Sequence, residues 1–108
     1  RAYIQGITRP CAEGGYELVY SPEWEARIYY TGVWRDLEVW QALPTLQVPT
    51  LFIRGAHSNT FLARAAARVV KINPELRVET IDNAGHLVPL EHPQEVANLI
   101  SSFVKELV

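Results

Sequence analysis

Three histidines and a single cysteine are the first side chains of this 108-residue sequence to weigh for metal ligation or catalysis, and their settings separate them. His86 stands in Glu79-Thr80-Ile81-Asp82-Asn83-Ala84-Gly85-His86-Leu87-Val88-Pro89-Leu90-Glu91-His92-Pro93. Leu76, Val78 and Thr80 alternate with Arg77 and Glu79 as in a half-buried strand, and Asn83-Ala84-Gly85 then supplies residues suited to a tight turn. His86 is therefore expected at the carboxyl end of a strand, the rim of an open α/β sheet where ligands bind and catalytic side chains collect. His57 and His92 could join it in a metal set. Two of the three histidines lie in loops, however, and no cysteine or paired carboxylate stands at ligand spacing, so neither a metal nor a cofactor is expected. Cys11 has no electropositive neighbourhood to activate it and reads as an ordinary small residue. His92, just before a helical proline, reads as a cap-region residue.

The elements that must position His86 follow from the pattern on either side. After it, Pro93 at a first helical position and Glu95 in the first turn open a helix over 93–107, with Val96, Leu99, Ile100, Phe103, Val104 and Leu107 on one stripe. Before it, Val48-Pro49-Thr50-Leu51-Phe52-Ile53 is an apolar run of the kind found in a strand covered on both faces, ended by Gly55. Residues 60–72 form an amphipathic helix, with Leu62, Ala65, Ala66 and Val69 facing in and Asn73-Pro74 ending it. Strand, helix, strand, helix predicts two parallel strands joined by a right-handed crossover. The second strand, with Arg77 and Glu79 on one face, tolerates a sheet edge. The first is too apolar for that and wants another neighbour: a further stretch of chain, a second copy, or residues 3–20 folding back.

The first half reads differently. Residues 3–20 predict a hairpin, with strands at Tyr3–Thr8 and Tyr16–Tyr20 around Pro10-Cys11-Ala12-Glu13-Gly14-Gly15. Ser21-Pro22-Glu23-Trp24 starts a short helix over 22–30, which Thr31-Gly32 is expected to end. A second short helix over 35–42 stops at Pro44. The tryptophans and tyrosines here either pack a small subdomain or form an apolar lid over a substrate pocket.

Composition bounds the class. The length allows one domain with a real core. A net charge of −2 with interspersed signs offers no face for nucleic acid. The apolar runs fall far short of the roughly 20 residues a bilayer span needs, and no leader resembles a signal peptide. One unpaired cysteine fits a reducing compartment, so a cytoplasmic location is expected. The chain opens on Arg1 and contains no methionine, which suggests removed first residues or an internal piece of a longer protein.

Residues 44–108, through Val48-Pro49-Thr50-Leu51-Phe52-Ile53-Arg54-Gly55 and Asn83-Ala84-Gly85-His86-Leu87-Val88-Pro89-Leu90-Glu91-His92-Pro93, resemble the C-terminal third of an α/β-hydrolase-fold enzyme. Residues 16–43 are similar, less specifically, to the segment between the cap and the penultimate strand. The resemblance implies two regions, 1–43 from the end of a cap or lid and 44–108 from the βαβα core. It makes His86 the general base and acid of a nucleophile-His-acid triad acting on a small-molecule substrate. The family's Gly-x-Ser-x-Gly nucleophile elbow is absent from this sequence, so the nucleophile is expected outside it. Asn59 falls where many relatives have the acidic residue. An asparagine can accept a hydrogen bond from His86 without stabilising its imidazolium, and some relatives bring the acid from the preceding strand instead. Asp82 is read as tying down the turn. Ester hydrolysis is the expected chemistry, with dehalogenation, epoxide opening or acyl transfer on the same fold left open. The alternative is a non-catalytic module that buries its open strand edge against another chain.

Overall fold

The structure is a computed structural model describing residues 1–108. The chain divides into two compact units, Arg1–Gln41 and Ala42–Val108.

In the first unit, helix α1 (Ala2–Ile7) leads directly into strand β1 (Thr8–Pro10), which pairs antiparallel with β2 (Tyr16–Leu18). The expected hairpin is present but short. Tyr3–Ile7 is helical rather than extended, because so brief an apolar–polar run suits either period. The Thr8 hydroxyl also donates to the Ile4 carbonyl at 2.7 Å, satisfying a helix-end acceptor. Gly14 and Gly15 close the hairpin at φ of 93° and 86°, a region glycine enters without steric cost.

Helix α2 (Pro22–Ala42) starts as its sequence predicts, with Ser21 Oγ accepting the Trp24 N–H at 3.2 Å and Glu23 and Glu25 in the first turn. It then runs 21 residues without a break, replacing the two short helices expected. Thr31 does not terminate it, and its hydroxyl donates back to the carbonyls of Arg27 and Ile28, at 2.9 and 3.2 Å, within the continuing helix. Gly32 weakens a helix interior by only about 1 kcal/mol relative to alanine. Pro44 does stop it, within a 3₁₀ turn at Leu43–Thr45.

The second unit carries the predicted strand–helix–strand–helix. Strands β3 (Leu51–Gly55) and β4 (Arg77–Ile81) are parallel, in register from Leu51 opposite Arg77 to Gly55 opposite Ile81. Between them runs α3 (Ala63–Ile72), and after them α4 (Val88–Glu91) and α5 (Pro93–Leu107). Two boundaries move inward from the sequence expectation. β3 begins at Leu51 rather than Val48, since Pro49 has no N–H to pair. α3 begins at Ala63 rather than Thr60, because the N–H groups of Thr60 and Phe61 are turned onto Ser58 Oγ, at 3.3 and 3.1 Å.

Asn73 ends α3 and is 6% exposed. Its amide donates to the carbonyls of Leu43 and Leu46, at 2.9 and 3.1 Å, tying the 3₁₀ turn to this side of the sheet. Arg77 on β4 reaches Glu79 at 2.9 Å and Glu106 on α5 at 2.7 Å, and both carboxylates push its pKa above the ordinary arginine value. The tightest core is Ile81, Ala84, Val88 and Val96, with Ile53 and Leu99 against it. It lies immediately around the carboxyl end of β4, so the turn that follows rests on packed side chains. β3 pairs only with β4 in the structure, while residues 3–20 pair among themselves in a separate sheet and do not supply its second neighbour. No helix is long and apolar enough to cross a membrane.

Candidate active site

Past Ile81 the chain makes the turn its residue types predict. Asn83 takes a left-handed φ of 55°, which asparagine tolerates better than most residues. The turn is then tied to its surroundings at nearly every residue. Ala56 N–H donates to the Ile81 carbonyl and His57 N–H to the Ala84 carbonyl, each at 2.9 Å. Gly85 N–H donates to Glu91 Oε2 at 2.7 Å, and His92 Nε2 meets the Asn83 carbonyl at 3.2 Å. Ala84 is fully buried beneath. Gly55, the last residue of β3, lies so close that a Cβ there would overlap the carbonyl oxygens of Gly85 and Ala84. The result is a rigid seat, and on top of it His86 presents an exposed imidazole.

The loop after β3 faces that imidazole. Ser58, 5% exposed, places Oγ 3.5 Å from His86 Nδ1, at the outer limit of a hydrogen bond. The same oxygen accepts the N–H groups of Thr60 and Phe61. A hydroxyl has two acceptor sites and one proton, so what Ser58 has left to offer Nδ1 is its proton. Arg54, also 5% exposed, stiffens the loop from within: its guanidinium donates to the Phe61 carbonyl (2.9 Å), Thr80 Oγ1 (3.2 Å) and the Ala56 carbonyl (3.4 Å).

Asn59 is not brought to His86. It is exposed, and its Oδ1 accepts from the Thr60 hydroxyl at 3.2 Å. Asp82 is likewise exposed, and the turn's hydrogen bonds are made by Ala56, His57, Glu91 and His92 instead. His92 is the histidine with a carboxylate beside it, Glu95 Oε2 at 3.6 Å. His57, His86 and His92 do not gather into a group able to hold a metal. Sequence reasoning missed Ser58, Arg54 and Glu91. Ser58-Asn59-Thr60, following a strand-ending glycine, carried a usable signal, since serine in such a run folds its oxygen onto N–H groups two and three residues on.

Chemically, the arrangement is an accessible imidazole on a turn tied down by hydrogen bonds, with one donor at Nδ1 and no anionic partner. The comparisons bear on what such a site serves. The model of the alpha/beta hydrolase family matches residues 4–99. Carboxylesterase YbfK of Bacillus subtilis is 35% identical over 65 residues, covering 59% of this chain and 22% of that protein. N-formylmaleamate deformylase of Pseudomonas putida is 25% identical over 79 residues, covering 68% of this chain and 30% of that protein. The crystal structure of E-2-(acetamidomethylene)succinate hydrolase superposes with a TM-score of 0.75 at 25% identity, over 94% of this chain and 36% of that one. The chain thus spans about a fifth to a third of the length of these relatives. The family match runs from the first helix into the last, through all four strands and the His86 turn, and 94% of this chain superposes on a solved hydrolase; the chain belongs to the alpha/beta hydrolase family.

Proposed function

We propose that this chain is the C-terminal part of an enzyme that hydrolyses carboxylic esters or related small acyl compounds, and that His86 is its general base and acid. The observation that carries the reading is the setting of His86, exposed on a turn fixed from both sides at the carboxyl end of β4. A nucleophile on polypeptide outside this chain would attack the substrate carbonyl as His86 takes its proton. His86 would pass that proton to the leaving group, and would then activate the water that releases the acyl group. Two observations support an external nucleophile: the chain has no Gly-x-Ser-x-Gly, and it covers only a minor part of each matched hydrolase. On this reading the acid also comes from outside the chain. Asn59 turns to Thr60, and the group facing Nδ1 is a hydroxyl rather than a carboxylate. The names of the relatives, a carboxylesterase, a deformylase and a hydrolase of a substituted succinate, favour acyl hydrolysis over the fold's other chemistries. Cys11, free in the structure, fits a reducing compartment such as the cytoplasm.

His86→Ala in the intact enzyme should lower turnover of a chromogenic short-chain ester by on the order of 10⁴-fold. Stability should change by no more than about 0.5 kcal/mol, since the side chain is exposed. Retained turnover would refute the assignment. One observation favours a second reading. β3 has a single strand neighbour, so its other edge could pair with a second copy in a self-associating, non-catalytic module. A dimer in sedimentation together with no labelling of the intact protein by a fluorophosphonate would select that reading.

A further inference from the structure

We infer that Glu91 is a positioning residue for His86, clamping the backbone immediately before it; this rests on the reading of His86 as the catalytic base. Glu91 ends α4, six residues beyond Gly85, and its Oε2 accepts the Gly85 N–H at 2.7 Å. Hydrogen bonds to a carboxylate are shorter and roughly twice as strong as those between neutral groups.

Two features of the packing bear on this contact. A Cβ on Gly85 would stand 2.9 Å from Glu91 Oε1, the end of a flexible side chain that would then have to shift, so the bare Cα leaves the carboxylate its place against the backbone. On the opposite side, Gly55 offers its bare Cα to the Ala84 and Gly85 carbonyls. The Gly85 peptide is thereby held between a carboxylate and the end of β3. With its N–H and its carbonyl both located, the direction in which the next residue leaves the turn is set, and that residue is His86. His92 adds a second tie to the same turn through the Asn83 carbonyl and leans on Glu95, at 3.6 Å. Glu91 is the only side chain that holds Gly85 itself. A misplacement of about 1 Å at a reacting group can cost on the order of 10²-fold in rate, so a modest loosening here should be felt in turnover rather than in binding.

The test compares Glu91→Ala, Glu91→Gln and His86→Ala in the intact enzyme, with turnover of a chromogenic short-chain ester and solvent exchange of the Gly85 amide as readouts. Glu91→Ala should lower kcat by roughly tenfold to a hundredfold, with KM within about twofold and the melting temperature nearly unchanged. Glu91→Gln, which keeps an acceptor oxygen at the same reach, should recover most of kcat. The Gly85 amide should exchange faster in Glu91→Ala and at close to the original rate in Glu91→Gln. Wild-type kcat in Glu91→Ala while His86→Ala is inactive would overturn the positioning role and leave the catalytic assignment standing. Turnover retained in His86→Ala would overturn the catalytic assignment, and with it the link from Glu91 to the reaction. Unchanged Gly85 exchange in Glu91→Ala would overturn the clamp in either case.

Discussion

Ser58 Oγ accepts two backbone N–H groups and has its proton left for His86 Nδ1, whereas the neighbouring Asn59 points its carbonyl at Thr60. At this scale the two adjacent residues should behave oppositely. Ser58→Ala leaves the Thr60 and Phe61 N–H groups without their acceptor in a part-buried loop, and should cost about 1–3 kcal/mol in urea unfolding. Asn59→Ala removes one exposed contact and should stay within about 0.5 kcal/mol. On the proposed reading, which takes the triad acid from outside the chain, Asn59→Ala should also leave ester turnover within a few-fold of wild type. A loss matching that of His86→Ala would return Asn59 to the triad.

Two glycines make the corresponding point for elements. Gly32 sits in the interior of α2 with nothing within 4 Å of where a Cβ would stand. Gly32→Ala should therefore stabilise that helix by about 0.5–1 kcal/mol, seen as slower amide exchange across 28–36. Gly55 ends β3 with backbone carbonyls where its Cβ would be. Gly55→Ala must push the His86 turn off the strand, and should cost about 1–3 kcal/mol in thermal or urea unfolding along with most of the turnover. If Gly55→Ala unfolded like wild type, the close approach of turn and strand would be wrong. Together the glycines show that an element's tolerance depends on what lies across from it.

For the molecule as a whole, the telling feature is apolar surface. α2 has no buried residue, and its Trp24, Ile28, Tyr29, Val33, Trp34 and Leu37 are 62–74% exposed. β3 carries Leu51, Phe52 and Ile53, each only half-buried, with a strand on one side alone. Contiguous exposed apolar area marks surfaces that another polypeptide covers, and an open strand edge invites pairing. The 108-residue chain by itself should therefore bind a hydrophobic dye and sediment above its 12.2 kDa monomer mass. Trp34→Asp with Leu37→Lys should reduce dye binding. A dye-silent monomer would refute the reading of these faces as surfaces that another polypeptide covers.

Sequence alone was enough where one local pattern admitted one structure. The six-residue apolar stripe after Pro93 can only be a helix face, and the Asn-Ala-Gly turn between a half-polar strand and that helix has to lift His86 to the sheet's carboxyl rim. The parallel pairing of β3 and β4 followed from the intervening helix, and membership of the family from the residues around both strand ends. Tertiary structure decided what local pattern leaves degenerate. Not every degeneracy was of that kind: Tyr3–Ile7 fits either period and is helix, and Thr31-Gly32 reads as a stop yet lies inside a helix, each with a threonine hydroxyl bonded back to a carbonyl three or four residues earlier. Ser58 rather than Asn59 came to face His86, and Glu91 came to Gly85, because those meetings join residues 28 and 6 positions apart through the packing of separate elements. Local pattern speaks to neighbours within a turn or a strand; which side chain meets which across elements is fixed only when the strands align and the turn settles onto the bare Cα of Gly55.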